Sequence, residues 1–169
     1  DAAGKKTAAY HNIAGAVAAA ANQLAPAEAH FLEAARLEPQ NVLLQLNLSM
    51  VRLRGTNAPS LAEARSALQR ISTNPTNSSL RCLALRELTV DALRQKQSAT
   101  ALSFSKQLLS ETNSVFRDRL LRLEVLRETK SADYKPALAT FQREAASEPG
   151  SIADWGVWQM ANTTPAETL

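Results

Sequence analysis

The sequence is short of the residues that build most reactive sites. A single cysteine, Cys82, excludes an internal disulfide framework and any multi-cysteine metal centre. It stands among Leu80, Leu83 and Leu85, where a small buried residue is expected; a reactive thiol would need a basic, exposed setting. His11 and His30 are the only histidines, and they lie 19 residues apart, whereas two metal ligands on one helix need a spacing of about three or four. His30, beside Phe31, is expected to be a partly exposed surface residue. Glycine is scarce too, at 5 of 169 residues, which with 45% hydrophobic residues indicates a soluble, helix-rich chain.

Long apolar runs are absent as well. The small-residue stretch 13–21 follows Lys5-Lys6 and imitates a signal peptide, but it is mostly alanine, the best helix former. It is far short of the roughly 20 apolar residues needed to span a bilayer, so a tightly packed helix is expected and no membrane insertion. Nor is there an excess of one charge: 19 Lys and Arg oppose 16 Asp and Glu, for a formal net charge of +3. Acids are interleaved with the bases, as in Arg117-Asp118-Arg119, whereas nucleic-acid binders concentrate basic residues on one face, so no nucleic-acid partner is expected. Gly4-Lys5-Lys6-Thr7 lacks the upstream glycine and the strand of a phosphate-binding loop. The expectation is therefore no enzyme, no catalytic residue, no cofactor and no metal.

What the chain does have is an internal repeat. Pro26, Ala27, Phe31 and Pro39 recur as Pro136, Ala137, Phe141 and Pro149, each at an offset of 110. That is close to three periods of about 34 to 38 residues, the range of helical repeat arrays. Glu38-Pro39-Gln40-Asn41, Asn74-Pro75-Thr76-Asn77, Thr112-Asn113-Ser114 and Glu148-Pro149-Gly150-Ser151 mark the ends of successive units. Between them the apolar spacing is helical, as at Leu44, Leu48 and Val51, or Leu61, Ala64, Leu68 and Ile71. Breakers fall at Leu24-Ala25-Pro26, Gly55-Thr56-Asn57-Ala58-Pro59, Gln95-Lys96-Gln97 and Ser131-Ala132-Asp133. The pattern predicts nine helices, at 7–23, 26–37, 41–54, 60–72, 78–95, 98–110, 114–130, 134–147 and 151–162.

Residues 8–41 resemble a tetratricopeptide repeat: Gly15 stands where the paired helices come closest, Ala27 opens the second helix, Phe31 and Ala34 follow, and Pro39 closes the unit. Asp133-Tyr134 before Pro136-Ala137 is similar to the family's turn, and the middle units match through Leu85, Leu88, Ala92, Ala101 and Leu108. Glu124 and Glu128 depart from it, standing near positions the family fills with apolar residues. The resemblance implies an all-α fold, a right-handed α-α superhelix of antiparallel helix pairs. It implies one domain over 1–169, with units at 8–41, 42–77, 78–114 and 115–150 and a partial unit at 151–169. Pro165-Ala166-Glu167 repeats Pro26-Ala27-Glu28, so the chain is expected to be the first part of a longer repeat protein.

In that family the first helices of successive units line a concave groove that holds a peptide or partner protein. Carried onto this chain, the groove residues are Asn12, Asn47, Met50, Arg54, Arg86, Arg94 and Arg122, for each of which the plain alternative is a solvated helix face. Arg54, Arg86 and Arg122 together would favour an acidic peptide, since the planar guanidinium matches a carboxylate. The known carboxylate-clamp subclass is not expected: Asn47 fits it, but Asn12 and Ala16 stand where it places a basic residue and an asparagine. A second expectation is architectural, a spacer or self-association module of a membrane-anchored or exported protein, with Trp155 and Trp158 as a C-terminal contact surface. Nothing in the residues separates a cytoplasmic chain from the exported part of an anchored one.

Overall fold

A computed structural model describes residues 7–74 and 76–145, and among these every regular element is helical. In order they are α1 (Ala8–Ala20), α2 (Leu24–Leu37), α3 (Val42–Arg52), α4 (Ala58–Ser72), α5 (Ser78–Arg94), α6 (Ser98–Ser110), α7 (Phe116–Glu128) and α8 (Tyr134–Ala145). Each answers to a predicted helix with its ends moved by at most a few residues. The ninth predicted helix, and with it Trp155 and Trp158, lies outside the described residues.

Short polar side chains set most of the helix starts. Thr7 Oγ1 accepts the Tyr10 N–H at 3.1 Å, Asn41 Oδ1 that of Leu43 at 3.2 Å, Asn57 Oδ1 that of Ser60 at 3.1 Å and Asn77 Oδ1 that of Leu80 at 3.0 Å. Each satisfies an amide that the helix leaves without a partner, which contributes about 1 kcal/mol. The buried Asp118 carboxylate reaches back to the Val115 N–H at 2.8 Å and does the same for α7. Pro26 and Pro136 are each the third residue of their helices, where a missing N–H breaks no hydrogen bond.

Three helix ends share one geometry. Asn22, Lys96 and Lys130 have φ of 57°, 57° and 52°, in the left-handed region. The next N–H then reaches back across the last turn, Gln23 to Ala18 O, Gln97 to Ala92 O and Ser131 to Leu126 O, each at 2.9 Å. This 6→1 bond closes α1, α5 and α7 and reverses the chain within a few residues, so α2, α6 and α8 return at once. The α3 to α4 connection uses the longer Gly55-Thr56-Asn57 segment instead.

The chain divides into two compact units, Asp1–Asp91 and Ala92–Leu169. In the first, α1 and α2 run antiparallel: Ala8 shares a cluster with Ala34, and Ala18 shares one with Ala27. Phe31 carries that contact on to Leu48 and Val51 of α3. Gly15 is buried against the Phe31 ring, as expected of the small residue at the closest helix approach. In the second unit, Ala92, Ala101 and Val125 form one cluster and Leu120, Leu123 and Phe141 another, where Phe116 and Phe141 pack with ring centroids 4.6 Å apart.

A single burial pattern recurs on alternate helices. Ala27, Phe31 and Ala34 of α2 are buried at i, i+4 and i+7, and so are Ala64, Leu68 and Ile71 of α4, and Ala101, Ser105 and Leu108 of α6. Ala137 and Phe141 continue the series on α8 with Ala137 half-buried, and the leading alanine returns after 37, 37 and 36 residues. A fully buried leucine such as Leu68 contributes about 2 kcal/mol through lost water contact, while the alanines set how closely the helices approach. Cys82 is buried, as expected. Among the described residues no helix is long and apolar enough to cross a membrane.

Candidate functional site

Four of the residues singled out in the sequence come together in the first unit. Asn47 Nδ2 of α3 donates to Asn12 Oδ1 of α1 at 2.8 Å, which leaves the other polar atoms of both amides for a ligand. Beside this pair a cleft of about 290 Å³ runs between α1 and α3, with Asn47, Met50 and Arg54 along one side. Its other side is built by Ala16, Ala19 and Ala20, and Phe31 and Val51 close the floor. The space exists because three alanines occupy positions where larger side chains would fill it. Arg54 follows directly on α3; its guanidinium is exposed and makes no hydrogen bond or ion pair among the described residues.

The apolar surface continues past the cleft. Ile13 and Val17 of α1 are 65% and 66% exposed, one helical turn apart and on the same side as Ala16 and Ala20. Sequence reasoning read this stretch only as a tightly packed alanine helix. Its signal was the pair of β-branched residues four apart among alanines, which a buried helix face would have drawn inward.

The other predicted residues are placed differently. Arg86 is half-buried on α5 and Arg94 is exposed at its end, and neither residue is without a partner. Arg122 turns into the α6–α7 contact: its Nη1 donates to Leu102 O at 2.9 Å and to Ser105 Oγ at 2.8 Å. Burial lowers its pKa from the ordinary arginine value, while the Asp133 charge pulls the other way. Much of the Arg122 donor capacity is thus spent inside the second unit. There it edges a cavity of about 520 Å³ walled by Leu123, Ala137 and Phe141, across which Arg119 pairs with Glu144 at 2.9 Å.

Two further constellations lie outside the expected set. Arg65 Nε of α4 meets Asp91 Oδ2 of α5 at 2.7 Å, with a longer second bond from Nη2 at 3.3 Å, and the Asp91 side chain is only 7% exposed. The hydrogen bond that Arg65 donates to Asp91 raises the Arg65 pKa, against a lowering by burial. In addition, His11 and His30, which their spacing in the chain seemed to separate, meet with Nδ1 atoms 3.0 Å apart. The spacing rule applies to a single helix, and here two antiparallel helices supply one imidazole each. His30 is half-buried, in keeping with the partly exposed position expected of it. No protein-family model matches the chain, nor does any curated protein or any solved structure.

Proposed function

We propose that the chain is a tetratricopeptide-like array, with its helix pairs stacked as a right-handed superhelix, and that it binds a peptide or partner segment in the α1–α3 cleft. The observation that carries the binding reading is the assembly of Asn12, Asn47, Met50 and Arg54 around one apolar cleft. The array reading is supported by the alanine-led burial pattern that returns every 36 or 37 residues and by the shared left-handed helix ends.

The lining defines the chemistry of the occupant. The alanine, valine and phenylalanine floor favours an apolar side chain, and the flexible Met50 thioether adapts to its shape. The amides accept and donate to a peptide backbone, and the exposed Arg54 favours a carboxylate nearby. The occupant is accordingly a short segment that pairs an apolar anchor with an acidic residue. Binding of fluorescent apolar-acidic peptides to the chain, with Met50→Ala and Arg54→Ala variants, tests this directly. Each substitution should weaken binding about fivefold or more, with the Arg54 effect shrinking as salt rises. Affinity in both variants equal to that of the unaltered chain would remove the cleft from consideration.

Ile13 and Val17 support a second reading, in which this face of α1 packs against another copy of the chain. Sedimentation of the Ile13→Glu, Val17→Glu double variant separates the two: a change in oligomeric state that leaves peptide binding intact favours self-association.

A further inference from the structure

The His11–His30 pair has no part in the cleft. Its Nδ1 atoms are 3.0 Å apart and part-buried between α1 and α2. The ring centroids are 5.3 Å apart, and a neutral pair at the 3.0 Å separation is joined by one ring donating its Nδ1–H to the Nδ1 lone pair of the other. Two nitrogens bound to one metal ion at about 2.1 Å and near a right angle are themselves about 3 Å apart. The spacing between these imidazoles is therefore already that of two ligands on one ion.

The surroundings hold that spacing. Ala8 and Ala34 pack on one side of the pair and Gly15 and Phe31 on the other, which fixes the two backbones. Tyr10 stands edge-on to both rings, at 5.3 and 6.3 Å between centroids, and limits how far either can swing. One turn beyond His30, Glu33 holds Arg36 through contacts of 2.7 and 2.8 Å in an exposed pair that water can replace.

We propose that His11 and His30 form a surface site for an exchangeable late first-row divalent ion, Cu²⁺, Ni²⁺ or Zn²⁺, bound through both Nδ1 atoms. Imidazole nitrogens favour these ions over Mg²⁺ or Ca²⁺, which take oxygen. On binding, the ring that donated from Nδ1 carries its proton on Nε2 instead, so both rings stay neutral and both Nδ1 lone pairs face the ion. Small rotations of the rings make those lone pairs converge. Among the described residues no three ligand-type side chains stand together, so water fills the remaining positions.

Titration of the full chain with NiCl₂ and with ZnCl₂, followed by calorimetry, tests the site. One ion per chain is expected, and His11→Ala or His30→Ala should each weaken binding at least about tenfold. Leu32→Ala, an exposed residue near His30 but outside the pair, should leave it unchanged, and circular dichroism confirms that each variant is folded. Imidazole proton resonances of both histidines should shift together on addition of Zn²⁺. Uptake by both histidine variants that equals that of the unaltered chain, or no uptake by the unaltered chain at about 1 mM ion, overturns the proposal.

Discussion

Gly15 and Phe31 stand so close that a Cβ on Gly15 would lie 2.8 Å from Phe31 Cδ1 and 2.9 Å from Cε1. The ring is itself trapped, because Ala27, Leu48 and Val51 pack in the same cluster. Glycine is a poor helix former, and alanine here would gain about 1 kcal/mol of helix propensity. Overpacking acts the other way, at about 1 to 3 kcal/mol, because the ring must shift against the neighbours that pack on it. Gly15→Ala should therefore destabilise the first unit, seen as a lower midpoint in urea denaturation. Phe31→Leu in the same chain should recover part of the loss, and a midpoint raised by Gly15→Ala alone would show that the ring moves freely.

The Arg65–Asp91 pair joins α4 to α5 with its carboxylate buried and its guanidinium one-third exposed. Removing the arginine strips a paired cation from a carboxylate that water cannot fully reach. Arg65→Met should cost about 1 to 3 kcal/mol. Removing both charges should cost less than the sum of the single changes, as a double-mutant cycle would measure with Asp91→Asn. Additive losses would mean that the pair is no more than a surface contact.

Exposed glutamates ordinarily titrate together, but Glu33 should stand apart. The hydrogen bond from Arg36 is the largest influence on its carboxyl and holds its pKa below the usual glutamate value; slight burial opposes this, and the Arg36 and His11 charges assist. A depressed folded-state pKa gives a stabilisation that is present above the pKa of the unfolded chain and is lost as pH falls through the folded value. Solvent screening keeps that stabilisation small, so the direct readout is the side-chain NMR titration. In Arg36→Ala the Glu33 midpoint should move back up toward that of free glutamate.

The helices were legible because their signals are local. Alternate-turn apolar residues, caps such as Asn41 and Asn57 and breakers such as Pro59 act within a few residues of where they stand. Asn47 and Met50 could be placed together because both lie in the C-terminal half of α3, where helical spacing alone puts them on adjoining turns, and Arg54 stands in the turn just past its end. The Arg122 contact was not legible, since its acceptors Leu102 O and Ser105 Oγ belong to another helix and depend on how α6 and α7 pack. The histidine pair was hidden for the same reason: 19 residues of chain separate two rings that the α1–α2 turn brings together.

The turns themselves carry a test of the repeat. Asn22, Lys96 and Lys130 hold the same left-handed conformation although only asparagine is at ease there, and a lysine Cβ crowds the backbone. Lys96→Gly and Lys130→Gly should each raise stability by up to about 1 kcal/mol, less a few tenths for losing a cation at a helix C-terminus. Asn22→Gly should gain less. A loss of stability in both lysine variants would mean that their side chains contribute more than the conformation costs.

Blocking the cleft tests binding without touching the core. Ala16 is exposed on α1 and lines the space between α1 and α3, so a larger side chain there enters the cleft and displaces no buried group. Leucine is nearly as good a helix former as alanine, and a substitution at an exposed position usually changes stability by no more than about 0.5 kcal/mol. Ala16→Leu should therefore melt with the unaltered chain while losing at least about tenfold in affinity for the apolar-acidic peptide, as the anchor can no longer reach Phe31 and Val51. Alanine at the neighbouring exposed residue Val17 is the matched control: it removes apolar surface beside the cleft and leaves the cleft open. A peptide that binds Ala16→Leu as well as it binds the unaltered chain must sit elsewhere, and the α1–α3 cleft would then be a consequence of alanine packing with no role in recognition.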